Sequence, residues 1–209
     1  SILHIKIIIQ SHNIITYHTR TKRRNNITQF MLNQRIIIKT IDKSHEADIN
    51  IPNEPFALFG RMIPTYADGK WAYTTDKFDT VAEMCFPDEN YNYDELAENH
   101  IFVGAYDGGK CIGLAILCHS WNKYMYLYDL KVNKEYRGQH IGELLIEKSK
   151  EIASEQNYNG LYTQGQDNNL GACRFYIKCG FVIGGLNTHV YNGTKQEGKA
   201  DIYFYLDVN

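Results

Sequence analysis

Residues 124–142, YMYLYDLKVNKEYRGQHIG, limit the possible folds of this chain more than any other stretch. Residues 124–132 read as a buried strand, and a helix begins at the far end. Between them lies a tight basic loop, Arg137-Gly138-Gln139-His140-Ile141-Gly142. Such a loop can cradle a pyrophosphate. Small residues let the backbone approach the anion, the amides at a helix start point toward it, and the helix dipole adds favourable charge. A short glycine loop also recurs by chance. A second fragment makes it specific: Gln166-Asp167-Asn168-Asn169, then Ala172-Cys173-Arg174-Phe175-Tyr176 and Cys179-Gly180-Phe181.

The elements around these fragments alternate. Residues 36–41 are β-branched and short, a first strand. Residues 52–64 carry prolines at both ends, with Phe56, Phe59 and Ile63 at helical spacing, which predicts a short helix. A second helix is predicted over 77–86, and an acidic loop over 87–99 that runs into a helical turn. Strands over 101–106 and 110–118 flank Asp107-Gly108-Gly109, a strong hairpin signal. The helix after the glycine loop carries Ile141, Leu144, Leu145, Lys148 and Ile152 along one stripe. Residues 161–164 form a short strand. Asn168 or Asn169 caps the next helix, Gly180 ends it, and strands over 181–191 and 201–208 follow. Strands with crossover helices make an α/β domain with a mixed sheet.

The chain has 209 residues and a formal charge of −2, which hides a division. Residues 1–35 hold six basic residues and no acidic one, leaving 16 basic against 24 acidic residues in 36–209, a formal −8. An acidic domain argues against nucleic acid as its partner and favours a cationic small molecule. Ile7-Ile8-Ile9 and Ile14-Ile15 are too short to span a bilayer. Residues 1–35 are read as a weakly ordered, dispensable extension lying upstream of an initiator at Met31. An import peptide or a membrane-surface arm is the alternative. Residues 36–209 form the single domain. The five cysteines include no C-x-x-C pair, so neither a disulfide framework nor a metal site is expected, and a cytoplasmic location is.

The two fragments resemble motifs A and B of the GNAT superfamily of N-acetyltransferases, which move an acetyl group from acetyl-CoA to an amine. Arg137 and Gly142, with Leu130 and Val132 before them, match motif A, Q/R-x-x-G-x-G/A. Its central glycine is His140 here. Asn169, Ala172, Phe175, Tyr176, Gly180 and Phe181 match motif B. The resemblance covers residues 101–206 and implies a GNAT fold, with a mixed, mostly antiparallel central sheet flanked by helices. It implies acetyl-CoA as cosubstrate and no metal. The amides of Gly138, Gln139, Ile141 and Gly142 would hold the pyrophosphate, with Arg137 adding charge and His140 in the same loop. The backbone at Leu130 and Val132 would run beside the pantetheine arm, with Asn169 bonding its amides. If His140 needs a positive φ, a non-glycine residue costs about 1 kcal/mol there. If the loop is already helical the cost is near zero, and the imidazole faces the phosphates.

An alkyl ammonium titrates near 10.4, so the acceptor must lose a proton to a base before it attacks, and an acid should protonate the leaving thiolate. By resemblance Tyr176 is that acid and also borders the cofactor; the alternative is a core aromatic like Phe175. Asp129 is either the base, directly or through water, or an anchor for the acceptor's ammonium.

Further stretches resemble the streptothricin acetyltransferases: Asn53-Glu54-Pro55-Phe56, Gly60-Arg61-Met62-Ile63-Pro64, Trp71 and Tyr73, Trp121-Asn122-Lys123-Tyr124, and Tyr128-Asp129-Leu130. This extends the likeness over residues 36–206. That group acetylates an amino group of the β-lysine moiety of streptothricin. The expected acceptor-side residues are Glu54, Phe56, Trp121, Tyr126, Tyr128 and Asp129, with Trp121, Tyr124, Tyr126 and Tyr128 as an aromatic wall. The rival readings are an acetyltransferase for protein lysines or polyamines, and a non-catalytic CoA-binding module. A homodimer is left open.

Overall fold

A computed structural model describes residues 35–208. The basic segment 1–35 therefore lies, but for its last residue, outside the described residues. The strands are β1 (Ile36–Thr40), β2 (Phe56–Ala67), β3 (Lys70–Met84), β4 (His100–Asp107), β5 (Lys110–Cys118), β6 (Tyr124–Val132), β7 (Gly160–Gln166), β8 (Val182–Asn187) and β9 (Asp201–Asp207). The helices are α1 (Tyr93–Leu96), α2 (Ile141–Glu155) and α3 (Leu170–Lys178), with 3-10 segments at Lys43–Asn50 and Lys134–Tyr136. Seven strands form one sheet in the order β1-β4-β5-β6-β7-β9-β8, and β2 and β3 form a separate hairpin. Strands β6 and β7 pair in parallel, and α2 is the crossover that such a pair requires.

The central strand β5 is apolar along its length because both of its faces are covered. Ile112, Leu114, Ala115, Ile116 and Leu117 are buried. On one side Leu114 and Ile116 join Ile41, Ile49, Phe102, Tyr106 and Cys111, and Ile51, Tyr91, Tyr93 and Leu96 pack against this cluster. Helix α2 lies along β4 to β7 and buries Ile141, Leu145, Ile146, Ser149, Ile152 and Ala153. The buried stripe is therefore turned from the expected one. Leu144 and Lys148 are only partly buried, while Ser149 is buried and donates its hydroxyl to the Leu145 carbonyl at 2.7 Å. That bond meets the cost of burying a hydroxyl.

Two expectations are corrected. Residues 52–64 and 77–86 do not form helices; 56–64 lie in β2 and 77–84 in β3, the two strands of the hairpin. Phe56, Phe59 and Ile63 fit a helical stripe by spacing alone. The pairing of Thr65 with Ala72 and of Ile63 with Thr74 fixes an extended register instead. The missed signal is Asp68-Gly69, a two-residue hairpin turn in which both residues take positive φ, 51° and 75°. The last strands are also shorter than expected, with β8 ending at Asn187.

Candidate active site

The geometry of the site begins where two parallel strands separate. Pairing between β6 and β7 runs from Tyr124↔Gly160 to Tyr126↔Tyr162 and stops, although β6 continues to Val132 and β7 to Gln166. Beyond the fork β7 still pairs with β9, while β6 keeps only β5 as a ladder partner among the described residues. Backbone polar groups on the open edge of β6 around Leu130 and Val132 thus lack partners from β7 and can bond a ligand, apart from the Val132 carbonyl, which accepts from Arg137. At the fork Thr163 donates its hydroxyl to the Leu127 carbonyl at 2.9 Å.

A register shift between β5 and β6 adds to this. Leu117 pairs with Leu127 and Ile116 with Asp129, so Tyr128 is an extra residue on β6. Such a bulge lets neighbours that would point to opposite faces share a side. The Tyr91 hydroxyl donates to Asp129 Oδ2 at 3.3 Å, and the Tyr91 and Tyr128 rings lie 6.1 Å apart.

The loop after β6 is tied down before α2 begins. The Arg137 guanidinium donates to the Val132, Pro55 and Glu54 carbonyls, at 3.0, 2.7 and 3.3 Å. The Glu54 carboxylate accepts from the Lys134 amide and stands 4.0 Å from Arg137. Gly138 takes φ 75°, and nothing lies within 4 Å of the position its Cβ would occupy. His140 takes φ 64° as the N-cap of α2, so this position does use the left-handed region; its Nδ1 lies 3.1 Å from Glu143. A Cβ on Gly142 would meet the Phe175 ring at 2.9 Å, so this glycine lets α3 pack against the start of α2. The first amides of α2 have no intrahelical acceptor. Together with the open edge of β6 they suit a long ligand carrying a pyrophosphate at one end and amides along its length.

Helix α3 closes the fork from below. Asn169 caps it, accepting from the Ala172 amide at 3.1 Å, and bridges to Gly60 of β2. Tyr176 packs among Phe175, Phe181 and Phe204, with ring centroids 5.6, 5.4 and 5.3 Å away. Burial pushes its phenol well above the ordinary value. A hydrogen bond with Thr163 works the other way, and the charge of Asp129 adds to the rise. Tyr176 therefore holds its proton at neutral pH.

On the other side of β6, Lys131 forms ion pairs with Asp129 at 3.1 Å and Glu89 at 2.8 Å, and its ammonium lies over the Tyr91 ring. Burial pushes the Asp129 carboxyl up, and Lys131 only partly offsets this. Burial also acts on Glu89, but the bonds from Lys131 and Asn53 outweigh it and hold that carboxyl low. Sequence reasoning missed Lys131, Tyr91 and Thr163 as members of the site. Of these, only Lys131 carried a local signal, its i+2 spacing from Asp129 on one strand.

The expected acceptor residues divide. Tyr126 and Tyr128 contact each other edge to face at 5.9 Å, and Tyr126 stacks on Tyr162 at 4.8 Å. Tyr124 belongs to the same row through Tyr205. Trp121 makes none of these ring contacts. It is 96% exposed in the β5–β6 turn and lines a separate depression with His119, Lys123 and Tyr158. Phe56 packs on Phe86, and Glu54 sits against the glycine loop rather than beside Asp129. Among the described residues no group of three or more His, Cys, Asp or Glu could hold a metal ion. No described helix is long and apolar enough to cross a membrane.

A sequence model described as the acetyltransferase (GNAT) family matches residues 69–181. Streptothricin acetyltransferase A of Bacillus subtilis (strain 168) is 35% identical over 159 residues, 76% of this chain and 92% of the relative. A Bacillus anthracis protein provisionally named a streptothricin acetyltransferase was solved in complex with acetyl coenzyme A. It is 31% identical, with a TM-score of 0.74 over 82% of this chain and 98% of its own. Nourseothricin acetyltransferase shares the fold at 22% identity, with a TM-score of 0.69 over 84% of this chain and 99% of its own.

Proposed function

Because this chain belongs to the acetyltransferase (GNAT) family and is an acetyl-CoA-dependent N-acetyltransferase, we propose that it acetylates an amino group of the β-lysine moiety of streptothricin and so inactivates the antibiotic. The observation that carries this reading is the fork. On one side is an open strand edge running to a glycine loop; on the other a carboxylate, Asp129, set among tyrosines. The names of the two Bacillus relatives support the choice of antibiotic.

The residues fit acetyl-CoA. The amides of Gly138, Gln139, Ile141 and Gly142 would hold its pyrophosphate, with His140 shaping the turn. Arg137 anchors the loop through its bonds to three carbonyls, with the Glu54 carboxylate 4.0 Å away, and its guanidinium would add positive charge beside the pyrophosphate. Leu130, Val132 and Asn169 would hold the pantetheine amides. The bound thioester supplies an electrophilic carbonyl and a thiolate leaving group. Asp129 takes a proton from the acceptor's ammonium, directly or through a water, and its raised pKa makes it a stronger base than an exposed aspartate. Backbone N–H groups on the open edge of β6 can face the carbonyl oxygen as charge develops there. Tyr176, protonated at neutral pH, holds a proton for the departing sulfur. Tyr126 and Tyr128 line the acceptor side. A cytoplasmic location, where acetyl-CoA and an intracellular drug would meet, is part of the same proposal.

Thiol release from acetyl-CoA should appear with streptothricin at kcat/KM well above that for spermidine or a lysine peptide. A preference for either of these would overturn the substrate. No thiol release with any amine would overturn the reading as a whole.

A further inference from the structure

Lys131 is an unusual side chain to find at an amine-acetylating site, because it brings the same charge as the acceptor. Its side chain is only 10% exposed, and its ammonium lies between Asp129 and Glu89, at 3.1 and 2.8 Å. Glu89 is itself held in place by the bonds of Asn53 to it and its neighbours. Asn53 donates its amide to Glu89 Oε1 at 3.0 Å and to the Pro87 carbonyl at 2.9 Å, and its backbone N–H donates to Asp88 at 2.7 Å. Two residues on, Asn50 clamps the Tyr91 backbone from both sides, accepting from its N–H at 2.7 Å and donating to its carbonyl at 2.9 Å. The Tyr91 ring packs on the apolar cluster of Ile41, Ile49, Phe102 and Leu114. The segment carrying Glu89 is therefore pinned over β6, and the Lys131–Glu89 pair spans the two.

Three charged groups with two negative charges and one positive one leave a net of −1. Burying a lone carboxylate pair would be costly, since like charges at short range repel and both lose water. Lys131 removes most of that cost without neutralising the subsite completely. A second cation arriving on Asp129 then balances the cluster. We propose that Lys131 is a positioning residue that pairs with Glu89 to fix the acceptor wall and to set the basicity of Asp129, leaving room for one ammonium group of the acceptor. This rests on the assignment of Asp129 to the acceptor side.

Asp129 faces Lys131 from its own strand, Glu89 and Tyr91 from the segment before α1, and Tyr176 from α3. The ring of His100 on β4 lies 5.3 Å from Tyr128, next to Asp129 in the chain, and its Nδ1 lies 3.0 Å from the Leu96 carbonyl. Lys131 is the cation in this set, and Glu89 the other carboxylate. The two should therefore pull the titration of Asp129 in opposite directions. Lys131 favours the ionised form, whereas Glu89 opposes it directly and also by holding Lys131.

The test is the pH dependence of kcat/KM for streptothricin in two variants of the full chain, Lys131→Met and Glu89→Gln, with Lys131→Arg as the rescue of the first. Lys131→Met should move the acid limb up by about one pH unit, the lower end of what a close opposite charge does to a carboxylate. Lys131→Arg should restore it. Glu89→Gln should move the limb down and raise KM about tenfold. Acid limbs that stay in place in both variants, with melting temperatures near the parent's, would overturn the proposal. If only one variant folds, its predicted direction still decides. Asp129→Asn separates this from the reading beneath it: full turnover with an unchanged pH profile would sink the assignment of Asp129 itself. Loss of turnover there with unmoved limbs elsewhere would sink only the role of Lys131.

Discussion

Thr163 donates its hydroxyl to the Leu127 carbonyl at 2.9 Å, at the point where β6 and β7 part. Leu127, buried and paired with Leu117 of β5, is the first residue of β6 beyond the last parallel pair, so its carbonyl receives this hydroxyl where the β7 ladder has ended. The same hydroxyl interacts with Tyr176. One side chain therefore closes the fork and locates the phenol beneath it.

Replacing Thr163 by Val keeps the shape and removes the hydroxyl. The orphaned acceptor should cost about 1–3 kcal/mol of stability, read from urea denaturation, while Thr163→Ser should lose far less. Equal stability of the Val and Ser variants would show that the fork needs no cap.

Tyr176→Phe preserves the ring contacts with Phe175, Phe181 and Phe204 and deletes the hydroxyl, with its proton and its bond to Thr163. Turnover should fall by about 10²-fold or more, the lower range for a lost general acid, with KM for acetyl-CoA nearly unchanged. Near-full turnover, in a variant whose chemical step limits the rate, would remove Tyr176 from the mechanism.

Asp129 should govern the acid limb of kcat/KM. As a base it must be ionised, so the rate rises with pH through its pKa, which burial holds above 3.8. The sign for stability is the reverse. A carboxyl whose folded pKa is raised contributes stability below its unfolded pKa, and that contribution is lost as pH rises through the folded value. Asp129→Asn should therefore lose the limb and at least about 10²-fold in turnover at pH 7. It should also weaken the dependence of folding stability on pH in the mildly acidic range. A variant with the parent's acid limb would contradict this.

His140 sits at φ 64°, where a side chain costs about 1 kcal/mol relative to glycine. His140→Gly should raise stability by up to that amount, less what glycine's freedom in the unfolded chain takes back. Its Km for acetyl-CoA should stay within about twofold, because the turn is already formed with histidine in it. If only the Gly variant bound the cofactor, the loop of the parent would be a defective site.

The sequence reading came closest between residues 101 and 180. Strands β5 and β6 have the expected bounds, the Asp107-Gly108-Gly109 turn joins β4 to β5, and Asn169 caps α3. Those signals are local: alternation, turn residues and caps act over a few neighbours. The reading failed at residues 52–86 because Phe56, Phe59 and Ile63 satisfy a helical period as readily as they sit along a strand. Pairing with β3 decided between them. His140 was undecided for a related reason, since sequence shows a missing glycine but not the dihedral angle imposed on its replacement.

By itself, then, the sequence placed the glycine loop, the helix start after it and the N-cap Asn169, because each is written in a few neighbouring residues, and the resemblance of these fragments to motifs A and B implied acetyl-CoA. Only the tertiary structure decided how the cleft opens and what surrounds Asp129. The opening of the fork depends on where β6 stops pairing with β7, and the bulge at Tyr128 depends on its register with β5. Lys131 meets Glu89 across 42 residues of chain. Contacts of that range follow from the packing of whole elements and leave no periodic trace in either segment.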